Sequence, residues 1–218
     1  VKPYYQDDYV TLYHADCLEN PELWTGADVL VTDPPYGIGY QSGRVRDRSD
    51  NPIAGDKSTD VRDKAFQMWG EKPALLFGRW NISWPSPPRH RLIWSKAPDP
   101  GMGDLRFPWG NSDEEIYVYG KGWTGTRGPN ILTVPKPPVN DRPNHPTPKP
   151  VPLMELLIQK CPPGVIADPF VGSGSTLVAA KHLQRHAIGV ELEERYCEIT
   201  ANRLSQEVLY FEGLKVES

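Results

Sequence analysis

The run VLVTDPPY, Val29 to Tyr36, carries an apolar stretch into a carboxylate, two prolines and an aromatic ring. A residue preceding proline is held extended, and Pro34 and Pro35 each fix their own φ. The result is a stiff corner in which the Asp33 carboxylate and the Pro34 carbonyl converge as acceptors, a pair suited to the two N–H bonds of one –NH2 group. The nitrogen of an aromatic amine is a poor nucleophile, because its lone pair is delocalised into the ring. Binding both N–H bonds aims that lone pair at an electrophile, and the Asp33 charge stabilises the cation that develops. Tyr36 offers a face on which a planar base can stack.

A second turn with chemical content lies far along the chain, in VIADPFVGSGSTLVAAK. Asp168, Phe170, Gly172 and Gly174 fall between a strand pattern and a helix pattern, where backbone can approach a ligand and present N–H groups. Ser175 and Thr176 stand where a nucleotide triphosphate loop has its lysine, and Leu177 where a dinucleotide fingerprint has its third glycine. The readings left are an adenosyl ligand without phosphates and a tight turn kept for packing. Glu191 ends the next apolar run, 23 residues beyond Asp168, where an acidic side chain can accept both hydroxyls of a ribose.

These groups need elements to hold them. The segment YVTLYHADCLE alternates like a strand and exits at Asp16, and ADVLVTD reads as a strand covered on both faces. TDVRDKAFQMWGEK has helical periodicity; PALLFGRW, RHRLIWSK and EEIYVYGKG read as strands. PVPLMELLIQKC is a helix with proline in its first turn, and VIADPF, GSTLVAAKHLQ, HAIGVEL and EERYCEITANRL alternate strand and helix. Strand–helix–strand–helix at this spacing predicts a doubly wound α/β fold, its sheet mostly parallel. Residues 37–60 form a long polar, glycine-bearing loop, and residues 122–144 lie in a stretch dense in Pro, Gly, Asn, Lys and Arg.

At 218 residues the chain fits one domain, 1–218. A net charge of −4 gives no global attraction to nucleic acid, so any such contact must come from local basic patches. Cys17, Cys161 and Cys197 are scattered without a CxxC pair, which argues against disulfides or a zinc site and for a reducing interior. With no leader pattern and no apolar run long enough to span a bilayer, the chain reads as a soluble, cytoplasmic protein of a bacterial or phage-infected cell, without membrane partners.

Taken together, DPPYG, HPTPKP and ADPFVGSGST resemble the motifs of the DNA amino-methyltransferases, which use S-adenosylmethionine to methylate adenine or cytosine amines. The catalytic corner precedes the glycine motif, the order of the circularly permuted group called beta, and the likeness runs from about Tyr9 to Leu204. The resemblance implies a Rossmann-like sheet with one antiparallel strand, with the cofactor at the carboxyl ends of the strands. It assigns catalysis to Asp33, Pro34, Pro35 and Tyr36. It places Asp16 at the adenine of the cofactor, Glu191 at the ribose, and Asp168, Phe170, Gly172 and Gly174 along the methionine side, close to Asp33. Thr147 and Lys149 would hold the cofactor carboxylate, and His145 would order their loop. No metal is implied, because the electrophile is already a sulfonium cation.

Many relatives have a long target-recognition region before the HPT motif; here 122–144 is short, which implies a short DNA site or help from a dimer partner. Arg44, Arg46, Arg48 and Lys57 of the first loop, with Arg127, Lys136 and Arg142 of the second, are the candidate contacts to double-stranded DNA. Relatives acting on cytosine more often have Ser where Asp33 stands, and those acting on protein glutamine tend to have Asn. Site-specific adenine methylation is therefore the reading favoured, with the cytosine amine, RNA or protein glutamine, and an idle cofactor- or DNA-binding regulator as the alternatives.

Overall fold

The apolar runs at 29–32, 74–78, 166–168 and 187–191 become strands covered on both faces in the computed structural model. The structure describes residues 1–37, 58–96, 106, 108–136 and 148–212, with backbone alone from 207 onward. In chain order the elements are β1 (Tyr5–Gln6), β2 (Val10–His14), a 3-10 turn (Pro21–Leu23), β3 (Val29–Thr32), α1 (Asp60–Trp69), β4 (Ala74–Gly78), β5 (His90–Ser95), β6 (Asp113–Tyr119), β7 (Ile131–Thr133), α2 (Val151–Ile158), β8 (Ile166–Asp168), α3 (Ser175–His182), β9 (Ala187–Glu191) and α4 (Glu194–Glu212).

Among the described residues these strands form one nine-stranded sheet in the order β1-β2-β9-β8-β3-β4-β6-β5-β7. Strands β2, β9, β8, β3 and β4 are parallel neighbours. Strand β6 runs against β4 and β5, which is the antiparallel strand expected, and the two-residue β1 adds another against β2. From β8 the chain passes through α3 to β9 on one side, and from β3 through α1 to β4 on the other. The order therefore diverges between β8 and β3, where the loops at the carboxyl ends part and leave a crevice.

Two apolar layers hold the sheet. On one face Leu153, Met154, Leu157 and Ile158 of α2 and Leu177 and Val178 of α3 pack over Val29, Val31, Leu75 and Ile116. On the other, Phe66 and Trp69 of α1 join Trp24 over Leu30, Leu76 and Tyr117, with the Trp24 and Trp69 rings stacked at 6.0 Å. Helix α3 is buried all round, including Lys181, whose ammonium reaches Asp7 at 2.6 Å and donates to the Leu204 carbonyl at 2.9 Å. A charge so enclosed needs these partners. Proline in the first turn of α2 costs no hydrogen bond, because that N–H has no helical acceptor.

Candidate active site

Four carboxylates stand at the carboxyl ends of four neighbouring strands: Asp16 just past β2, Glu191 ending β9, Asp168 ending β8 and Asp33 just past β3. Strands β3, β8 and β9 are apolar runs and β2 an alternating one, and each meets an acid where the sheet ends, so the sheet order sets the row across the crevice. Asp16 accepts the Leu18 N–H at 2.8 Å in a local turn. Glu191 accepts the N–H of Gly172 at 2.7 Å and of Glu193 at 2.8 Å. Burial pushes its carboxyl up to about 7 in spite of those two donors. Asp168 accepts from Thr32 Oγ1 at 2.6 Å and the Phe170 N–H at 3.1 Å, and burial pushes it up to about 6.

The glycine turn uses its donors internally. The Gly172 N–H goes to Glu191, and the Gly174 N–H goes to the Val171 carbonyl at 2.9 Å. Gly174 opens α3 in the left-handed region, φ 84°, and a Cβ there would lie 2.6 Å from the Thr200 side chain of α4. Close packing therefore requires glycine at 174, whatever else the turn binds. Gly172, by contrast, ties the turn to the strand-end Glu191.

At the Asp-Pro-Pro-Tyr corner neither oxygen of Asp33 is idle. The Tyr36 hydroxyl donates to Oδ1 at 2.5 Å, and the Lys149 ammonium lies 2.6 Å from Oδ2. Lys149, read above as a partner for the cofactor carboxylate, thus sits between two of the protein's own carboxylates. Its Nζ is also 3.0 Å from Glu114 Oε2, and Glu114 Oε1 lies 2.7 Å from Lys96 Nζ. Burial raises the Asp33 carboxyl, helped by the Glu114 charge and opposed by Lys149 and Tyr36. Lys149 is raised, its two carboxylates outweighing burial. Glu114 is lowered, the two lysines outweighing burial.

Sequence reasoning missed Glu114 and Lys96. One signal was available: alternation in DEEIYVY puts Glu114 on the face of Ile116 and Val118, which join the core. An acid on an apolar face needs a buried cation, and here it has two.

The donor set suits a cationic adenosyl ligand better than a phosphate-bearing one. Four carboxylates around the crevice repel a pyrophosphate, and the Gly172 N–H that could bind one is already used. The same carboxylates can accept ribose hydroxyls and an ammonium, and they favour a sulfonium. Among the described residues no cluster of His, Cys, Asp and Glu could hold a metal ion, and no helix is long and apolar enough to cross a membrane. A separate cleft of about 1200 Å³, between α1 and the 82–86 loop, is lined by Phe66, Trp84 and Tyr119 and holds none of the motif residues.

Of the candidate DNA contacts, Arg127 is exposed and Lys136 half-buried. Arg44, Arg46, Arg48, Lys57, Arg142, His145 and Thr147 lie outside the described residues. In the sequence the first basic segment follows the corner directly after Gly37, and the second precedes Pro148 and Lys149.

A doubly wound sheet with acids at its strand ends and an Asp-Pro-Pro-Tyr corner at the switch point defines a class, the Rossmann-like methyltransferases. The profile of the N6/N4 methyltransferases, described as DNA methylase, matches residues 109–202. The type II methyltransferase M2.DpnII of Streptococcus pneumoniae is 46% identical in an alignment covering 94% of this chain and 93% of that protein. The M1.HpyAVI–SAM complex superposes with a TM-score of 0.65 over 89% of this chain and 98% of that one, at 21% identity. The cytosine-N4-specific PvuII DNA methyltransferase does so with 0.67 over 93% and 88%, at 16% identity, and these two likenesses speak for the fold. The chain belongs to the N6/N4 DNA methyltransferase family.

Proposed function

We propose that this chain transfers the methyl group of S-adenosylmethionine to the 6-amino group of an adenine flipped out of double-stranded DNA. The observation that carries the reading is a carboxylate, Asp33, at the head of a rigid corner on the switch point, with Tyr36 and Lys149 keeping it in place. Kinship with type II methyltransferases supports methylation at a short specific site, of the kind that accompanies a restriction enzyme.

Bound, the cofactor supplies an electrophilic methyl group on a sulfonium sulfur. Asp16, Glu191, Asp168, Phe170, Gly172 and Gly174 hold it along the strand ends, with Thr147 at its carboxylate. Asp33 and the Pro34 carbonyl accept the amine N–H bonds and turn the nitrogen lone pair toward the methyl, while Tyr36 lies against the base. Methylation would place positive charge on the amine nitrogen; Asp33 would stabilise that charge, and the amine proton would then pass to water. The 37–60 and 122–144 segments carry the phosphate contacts.

Incubation with unmethylated DNA and cofactor, followed by nucleoside mass spectrometry, tests this. N6-methyladenine is expected. Methylcytosine alone would overturn the choice of base, and no methylated nucleoside would favour an idle binding module.

A further inference from the structure

Lys149 has two seats. Its ammonium lies 2.6 Å from Asp33 Oδ2 and 3.0 Å from Glu114 Oε2, on a side chain only 7% exposed. Glu114 Oε2 is buried and accepts no hydrogen bond of good geometry, although the other oxygen of the same carboxylate pairs with Lys96. Strand β6 thus directs an under-used acceptor at the cation that occupies the catalytic carboxylate.

We propose that Glu114 is a positioning residue for methyl transfer, the second seat of the Lys149 ammonium, which it keeps beside Asp33 and takes over when Asp33 turns to the amine. This rests on Asp33 being the carboxylate at the target amine. The series Lys96, Glu114, Lys149, Asp33 alternates in charge and sums to zero. A small shift of Nζ from Asp33 toward Glu114 frees Asp33 Oδ2 for an N–H and leaves no buried charge unpaired. Without Glu114, Lys149 has one anion only and stays clamped on Asp33, where its charge opposes the cation forming on the amine.

The groups that act on Asp33 come from every element around it. Tyr36 belongs to its own corner, Lys149 precedes α2, Glu114 lies on β6 with Lys96 behind it, Asp168 ends β8, and Arg79 after β4 acts on Tyr36. Removing the Glu114 charge relieves a repulsion on Asp33, and removing Lys149 takes away its cation. The two changes push the Asp33 carboxyl in opposite directions.

The experiment compares single-turnover pH–rate profiles of the full chain, with saturating DNA and cofactor, for the parent, Glu114→Gln and Lys149→Met. The acid limb, set by ionised Asp33, is expected to move to lower pH in Glu114→Gln and to higher pH in Lys149→Met. The plateau rate of Glu114→Gln should fall roughly tenfold with DNA affinity unchanged, the scale of groups that orient a working side chain. A 13C NMR titration of the Asp33 carboxyl in the cofactor-free protein, assigned with Asp33→Asn, reads the same two displacements without turnover. Limbs that stay in place or move the same way overturn the proposal, and either variant decides it alone if the other does not fold. Asp33→Ala at the parent rate would instead overturn the site reading beneath it.

Discussion

Thr32 and Asp168, the last residues of β3 and β8, are joined by a hydrogen bond of 2.6 Å from the threonine hydroxyl to Asp168 Oδ1. Both are almost wholly buried, so the bond ties together the two strands on either side of the crevice. Thr32→Val keeps the shape and removes the donor, leaving that oxygen with the Phe170 N–H. The expected loss is about 1.5–3 kcal/mol in urea unfolding, the scale of a hydrogen bond to a charged group. A loss below about 0.5 kcal/mol would show that Asp168 finds another donor.

Glu191, proposed above to hold the cofactor, should couple cofactor affinity to pH. Burial holds its carboxyl up to about 7 in the ligand-free protein, whereas two ribose hydroxyls donating to it favour the ionised form, which accepts on both oxygens. Binding should therefore release a proton, and affinity should rise between pH 6 and pH 8. Calorimetry in buffers of differing ionisation enthalpy measures both effects. Glu191→Ala should bind at least about tenfold more weakly, which is only about 1.4 kcal/mol, and with no pH dependence from this source. Unchanged affinity removes Glu191 from the cofactor site.

Stability of the ligand-free protein should follow the opposite course. The folded state holds the Glu191 proton up to about 7 and the unfolded chain only up to 4.5, so between those values the folded state binds more protons. Stability then falls as pH rises through that window, and Asp168, raised from 3.8 to about 6, adds to the fall at its lower end. Asp7 and Glu114 are lowered, so their contributions are lost only at more acid pH. Thermal melting from pH 5 to pH 8 should show the decline, and Glu191→Gln should flatten it. A parent whose melting point rises across this range would contradict the burial argument.

Legibility in the sequence followed from how local each feature is. Asp33, Asp168 and Glu191 could be read as strand-end acids because each closes a short apolar run. Their adjacency could not, since it depends on the order β9-β8-β3, which brings the two ends of the chain together. The charge of Lys149 was visible, but its partners Asp33 and Glu114 come from other elements. Strands β1 and β7, of two and three residues, are too short for alternation to register, and β7 lies within a proline- and glycine-rich stretch. Gly174 could be read as ligand chemistry or as a packing turn, and its close approach to Thr200 of α4 is a contact that the sequence does not reveal.

The basic segments carry an electrostatic expectation. Arg44, Arg46 and Arg48 follow the Asp-Pro-Pro-Tyr corner in the sequence, within a chain of net charge −4. Neutralising all three should weaken DNA binding and flatten its salt dependence, because fewer counterions are released. Equal salt slopes in mutant and parent would show that these arginines do not touch phosphate.

Asp33 should serve the transition state more than ground-state binding, because its charge matters most as the amine nitrogen becomes cationic. Asp33→Ala should lose at least about a hundredfold in methyl transfer, the scale on which one preorganised electrostatic partner contributes. Loss of this carboxylate also leaves Lys149 with Glu114 alone, so the variant's melting point should be measured beside its rate. DNA affinity should change little, since phosphate contacts supply most of it. Asp33→Asn keeps the shape and one acceptor oxygen but not the charge, and should fall near Ala or between Ala and the parent. Single-turnover kinetics at saturating cofactor and DNA separate these cases. A variant that transfers methyl at the parent rate and only needs more DNA would show that the corner holds the base without acting on its nitrogen.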